Sequence, residues 1–217
     1  MPITLLGNIS IALSLVVGTL SWKYLPMAFR WVFLQCLLAG LVELIGMKFN
    51  SNLEPNIWIY NLYMVVEPWL LGFAAMSILP LAKNRIQLVL FLVTAFWCIH
   101  VLLYGLDSFA NAVLLLDNLL FAVVSIIILM KMSKQRTPFF QIPELWLAMA
   151  VLLFSAGNIP IMGLYNNLKT IPRDVAQNLY YITNILCILR YLFVTVAFLL
   201  IIRQNRKSTN LPAYERS

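Results

Sequence analysis

Charge is what this sequence has least of. Asp, Glu, Lys and Arg make up 11% of its 217 residues, where an ordinary soluble domain has about 25%. A chain so poor in polar surface cannot face water on all sides, which excludes a soluble globular domain and a disordered segment alike. Cysteine is scarce as well. Cys36, Cys98 and Cys187 lie far apart, each inside an apolar run, which excludes a disulfide-stapled scaffold and leaves three thiols packed as small apolar residues. Histidine occurs once, at His100. One His and scattered Cys do not make a standard zinc or haem site, so neither metal nor cofactor is expected. The sequence has no G-x-S-x-G, no phosphate loop and no H-E-x-x-H, and it is read as a non-enzyme on that ground.

What the chain has is apolar length. Hydrophobic residues reach 62%, with a mean hydropathy of +0.89. A helix needs about 20 mainly apolar residues to cross roughly 30 Å of hydrocarbon. Seven stretches meet that length: 3–22, 28–47, 57–79, 86–104, 110–130, 144–164 and 178–202. They do not alternate in polarity as barrel strands do. The fold class predicted is therefore all-α, a polytopic bundle of seven transmembrane helices. It forms a single transmembrane domain over 1–217, with connections too short for a soluble domain. Residues 1–22 lack a positive flank and a small-x-small cleavage site, so they read as a retained first helix.

Lys and Arg set the orientation. Lys23, Arg30, Lys83, Arg85, Lys131, Lys134, Arg136, Arg203, Arg206, Lys207 and Arg216 fall on one side, and Lys48, Lys169 and Arg173 on the other. The N-terminus is predicted outside and the C-terminus, with its basic tail 203–217, in the cytoplasm. The net charge of +7 is then an orientation and lipid-surface signal, not a nucleic-acid one. The expected location is the plasma membrane, a bacterial inner membrane, spanned several times.

Two segments 117 residues apart read as related. AGLVELIGMKFNSNLEPNIWIYNLY (39–63) and AGNIPIMGLYNNLKTIPRDVAQNLY (156–180) share Ala39/Ala156, Gly40/Gly157, Gly46/Gly163, Asn50/Asn167 and Pro55/Pro172, then Asn61-Leu62-Tyr63 with Asn178-Leu179-Tyr180. Leu5-Leu6-Gly7-Asn8 likewise resembles Leu115-Leu116-Asp117-Asn118. The pattern predicts a parallel 3+1+3 repeat: repeat A at 3–79, a linking helix at 86–104, repeat B at 110–202. Such repeats place a site at their interface, near the bilayer midplane.

Ionisable residues inside spans are costly, about 2.5–3.5 kcal/mol each on insertion scales, and face a bundle interior or cavity. Glu43, Glu67, His100, Asp117 and Arg190 are such residues. At 1.5 Å per residue, Glu67 and Arg190 fall roughly 15–18 Å deep, and the others roughly 6–10 Å below the outer surface. Tyr60, Tyr63 and Glu67 share a face of the third span; Trp97, His100 and Tyr104 share one of the fourth. Tyr180, Asn184, Cys187 and Tyr191 share one of the seventh. Pro68 and Pro160 free the carbonyls of Met64 and Ala156. The candidate ligand-binding set is Glu43, Tyr63, Glu67, His100, Asp117, Asn158, Tyr180, Asn184 and Arg190, with no catalytic and no metal-binding residue. The competing expectation is structural: Glu67 with Arg190 as a buried ion pair, His100 with Asp117 as a hydrogen-bonded clip. Ser10, Ser14 and Gly18 form a small-residue packing face.

Seven helices in a three-one-three plan resemble the architecture of SWEET-type sugar transporters and of microbial rhodopsins. The early Pro-Gln signature of the former is missing, and segment 178–202 has no lysine for a retinal Schiff base. Asn56-Ile57-Trp58-Ile59-Tyr60-Asn61-Leu62-Tyr63 followed by Glu67 looks like a signature of small uncharacterised bacterial seven-helix membrane proteins, a resemblance that carries no activity. The function expected is binding of a small organic solute in an outward-facing polar cavity between two three-helix repeats, leading to transport. The alternatives are a ligand- or lipid-sensing subunit acting through a cytoplasmic partner, and a lipid-modifying enzyme. Expected partners are membrane lipids and a small-molecule ligand, with a homo-oligomer or a cytoplasmic signalling protein as further candidates.

Overall fold

The computed structural model describes residues 3–51, 56–135, 138–165 and 172–209, and across them the chain is all-α. Seven helices run in order: α1 Ile3–Ser21, α2 Met27–Ser51, α3 Ile57–Ile78, α4 Lys83–Tyr104, α5 Asn111–Met132, α6 Pro143–Tyr165 and α7 Arg173–Thr209. All seven are long and apolar enough to cross a membrane, and the chain is a multi-pass helical membrane protein. The end of the bundle where α1 begins is called the amino end below; α2, α4 and α6 finish there, and α3, α5 and α7 start there.

Proline and glycine set the breaks. Leu25 precedes Pro26 and is extended at φ −68°, ψ 120°, because a following proline disfavours helical backbone. Pro80 stops α3 in the same way, and Pro143 opens α6 at the position where its missing N–H costs nothing. Gly105 ends α4 with φ 78°, a left-handed conformation that a side chain would strain. Pro68 and Pro160 lie inside α3 and α6, which continue through them.

The helices match the predicted spans to within a few residues, except α7. That helix has 37 residues, about 55 Å at 1.5 Å per residue. Hydropathy marks where lipid ends, whereas the helix runs on until something breaks it; the polar stretch Arg203-Gln204-Asn205-Arg206 contains no breaker. Pro55, Arg136, Asn167 and Lys169, and the tail beyond 209, lie outside the described residues. So do the two loop matches Asn50/Asn167 and Pro55/Pro172 as pairs.

Helices adjacent in sequence pack together within the first three and within the last three: α1 on α2, α2 on α3, α5 on α6, α6 on α7. α1 returns to α7 along much of its length and closes the ring, while α3 meets α5 only sparsely and α4 lies against both. The close α1–α7 approach follows from small residues. Ser10, Ser14 and Gly18 are buried, and a Cβ on Gly18 would press into Phe33 and come within 3.1 Å of Phe198. The serine hydroxyls return to their own helix, Ser10 to the Gly7 carbonyl and Ser14 to that of Ile11, both at 2.7 Å.

Polar side chains tie the turns down. Asn61, fully buried, donates to the carbonyls of Leu106 and Ser108 and accepts from the Ala110 amide, anchoring the α4–α5 turn onto α3. Trp69 donates to Thr94 at 3.0 Å, joining α3 to α4. Outside, the bundle is greasy. α4 buries only Ile86, Leu90 and Val93, and its Leu92 and Leu102 are 61% and 85% exposed; such a surface is at home in acyl chains and not in water.

Candidate functional site

Midway along the bundle, α2, α3 and α7 bring polar groups onto one point, and α6 adds an aromatic ring. Arg190 of α7 is 4% exposed and forms an ion pair with Glu67 of α3. Its guanidinium carbon stands 4.6 Å from the centre of the Phe154 ring on α6 and 5.7 Å from that of Tyr191, so two ring faces hold the cation. Gln35 of α2, 1% exposed, donates from Nε2 to the Tyr63 hydroxyl at 2.8 Å and to Glu67 Oε1 at 3.0 Å. The Tyr191 hydroxyl lies 3.5 Å from the same nitrogen. Tyr63 and Glu67 are one turn apart on α3 and therefore share a face. A buried charge persists only when it is paired and hydrogen-bonded, and this network supplies both.

Above this floor, toward the amino end, opens a cavity of about 460 Å³. α1 contributes Asn8 and Ile11, α2 Glu43, α3 Tyr60 and Tyr63, α6 Phe154, and α7 the ladder Tyr180, Thr183, Asn184, Cys187, Arg190 and Tyr191. The ladder repeats at three and four residues, one face of a helix. Asn184 donates to the Tyr180 carbonyl one turn back at 2.8 Å, and Thr183 to that of Leu179 at 3.2 Å. These bonds hold both side chains against their own backbone and leave room beside them. A second, almost wholly apolar groove of about 230 Å³ runs between α1 and α2. Asn8, Ile11 and Glu43 line both spaces.

The charges do not balance. Glu43 has no hydrogen-bond or ion-pair partner among the described residues; its charge acts on Tyr60 and Cys187. Asp117 of α5 is 7% exposed, its Oδ1 has no partner, and its charged neighbours are Glu67 and Arg190. Glu43 at the cavity wall and Asp117 near the Glu67–Arg190 pair therefore have no ion-pair partner among the described residues.

Five of the nine candidate residues line the cavity: Glu43, Tyr63, Tyr180, Asn184 and Arg190. Glu67 lies beneath it, bonded to Arg190. Asp117 and Asn158 are buried outside its lining; Asn158 is 2% exposed and donates to the Phe154 carbonyl. His100 must be corrected. It sits on α4, where Nε2 is 3.3 Å from the Ser108 carbonyl and the ring lies against Tyr104, so the clip to Asp117 is not formed. α4 lies outside the ring, and the face carrying Trp97, His100 and Tyr104 does not reach the cavity. Helical spacing identifies a shared face but not the neighbour it meets. Some contributors escape sequence reasoning. Gln35, an amide inside an apolar run, carries a legible signal; Asn8 stands out only through the match of Leu5-Leu6-Gly7-Asn8 with 115–118, and Phe154 has no polar signature at all.

The fold and site define a multi-pass helical membrane protein with a polar, aromatic-lined cavity that ends at a buried ion pair. Comparison with known proteins finds no matching family model, no matching curated protein and no matching solved structure.

Proposed function

We propose that the protein is a membrane transporter of a small organic solute, which it binds in the cavity above Arg190 with the amino end facing the extracytoplasmic side. The observation that carries this reading is a pair of cavities separated by a sealed layer. The larger, at the amino end, stops at the Gln35–Tyr63–Glu67–Arg190 network. At the other end a cavity of about 270 Å³ is lined by Phe29, Gln141, Glu144, Ile201 and Gln204. Between them pack Val32, Cys36, Ala197 and Phe198, all at 0–1% exposure, with Phe29 edge-on to Phe198 at 6.4 Å. A receptor needs one pocket; vestibules on both sides of a sealed layer fit alternating access.

A cavity of this size holds a drug-sized or smaller molecule, with aromatic walls for its apolar body and a few polar groups to orient it. α1–α3 and α6–α7 both line it, so movement between the halves 3–79 and 110–202 would open one side and close the other. The residues that bind are Tyr63, Tyr180, Asn184 and Arg190, with Glu43 at the wall. Counterflow in proteoliposomes with a panel of radiolabelled solutes tests the proposal. Saturable uptake, abolished in Arg190→Leu and unchanged in His100→Ala, is expected; no uptake across anionic, neutral and cationic solutes would overturn it.

A further inference from the structure

We infer that the solute is an organic ammonium compound with an apolar tail, its charged head held beside Glu43 and its tail in the groove between α1 and α2. This rests on the solute-binding reading above and adds the chemical class. A buried charge without a partner is costly in a medium of low polarity. Arg190 is neutralised by Glu67, and Asp117 is buried near that pair with no partner for its Oδ1. Glu43 stands at the cavity wall with no cation beside it. An occupant bringing one positive charge balances Glu43; an anion would face that carboxyl group and a guanidinium already paired.

The walls agree with the charge. Tyr60 and Tyr180 lie within electrostatic reach of one another, and Tyr60 of Glu43. Aromatic faces beside a carboxylate form the setting in which alkylammonium groups are bound through ring quadrupoles. The tail follows from continuity: Asn8, Ile11 and Glu43 border both the cavity and the apolar groove, so a head at Glu43 has the groove next to it.

Cys187 reports on the charge of the cavity whatever the solute is. It lines the cavity, it is partly exposed, and both Glu43 and Arg190 act on it electrostatically. Cys36 is fully buried and Cys98 lies on the outer face of α4, so Cys187→Ser identifies the reporting thiol. In the full-length protein in nanodiscs, Cys187 is modified with two methanethiosulfonates of similar size, one carrying trimethylammonium and one sulfonate. Negative clefts concentrate cations by roughly 10- to 1,000-fold. The cationic reagent should therefore react at least about tenfold faster, relative to each reagent's rate with a free thiol. The preference should shrink in Glu43→Gln and persist in Glu43→Asp. Hexyltrimethylammonium should slow the modification, and hexanesulfonate and hexanol should not. Equal reagent rates, or protection by the sulfonate, would overturn the ammonium assignment while leaving a solute cavity in place. Failure of both reagents to reach Cys187 would overturn the cavity reading itself. The wild-type ratio decides even where a Glu43 variant fails to fold.

Discussion

Removing Arg190 should destabilise the bundle more than removing Glu67, although the two form one ion pair. In Arg190→Leu, Glu67 is left buried with no cation, and Gln35 can satisfy only part of it. Breaking a buried pair by deleting one partner costs about 3–5 kcal/mol, and a carboxylate left with one donor puts this variant at the upper end. In Glu67→Leu, Arg190 retains the Phe154 and Tyr191 ring faces. The remaining cost is mainly the acceptor lost by Gln35, and the expected value is about 2–3 kcal/mol. The double variant Glu67→Leu/Arg190→Leu should recover about 2 kcal/mol against the sum of the singles, since neither charge is then stranded by the other. Reversible unfolding by SDS in mixed micelles measures all three. A Glu67→Leu variant as damaged as Arg190→Leu would refute the claim that the Phe154 and Tyr191 rings hold the guanidinium without its partner. A strictly additive double variant would refute the pairing.

Gln35→Leu removes the donor shared by Tyr63 and Glu67 and should cost about 1–3 kcal/mol in the same assay; an unchanged midpoint would remove Gln35 from the network. Gly18→Val drives a branched side chain into Phe33 and Phe198 and should destabilise by about 1–3 kcal/mol through overpacking of α1 on α7, whereas Gly7→Ala, with nothing within 4 Å, should be near neutral. His100→Ala should leave modification of Cys187 and its protection by hexyltrimethylammonium unchanged, because α4 does not reach the cavity. A changed rate would place His100 at the site.

The seven helices were legible because the apolar requirement of the bilayer acts on every residue of a span, and Pro26, Pro80 and Pro143 mark their breaks. The end of α7 was not, since nothing in hydropathy separates a helix in lipid from one that continues into water. The Glu67–Arg190 pair could be anticipated from depth: two opposite charges at the midplane have little choice but each other. The His100–Asp117 pairing failed because depth alone does not say which helix faces which, and α4 lies outside the ring. Phe154 stayed hidden for a related reason. A phenylalanine in an apolar run looks the same whether it meets lipid or a guanidinium. The small-residue face Ser10, Ser14 and Gly18 was legible as packing, but not that its partner would be α7, at the far end of the chain.

The whole reading stands on a cavity that enters from the amino end and stops at Arg190. Single cysteines placed along α7 at 180, 184, 187, 191, 194 and 198, in a background lacking the native thiols, can be treated with a membrane-impermeant reagent applied from the extracytoplasmic side. The account predicts modification at 180, 184 and 187, a steep fall at 191, and none at 194 and 198, where Val194 and Phe198 are sealed in the core. Reaction continuing unabated to 198, or absent already at 184, would contradict it.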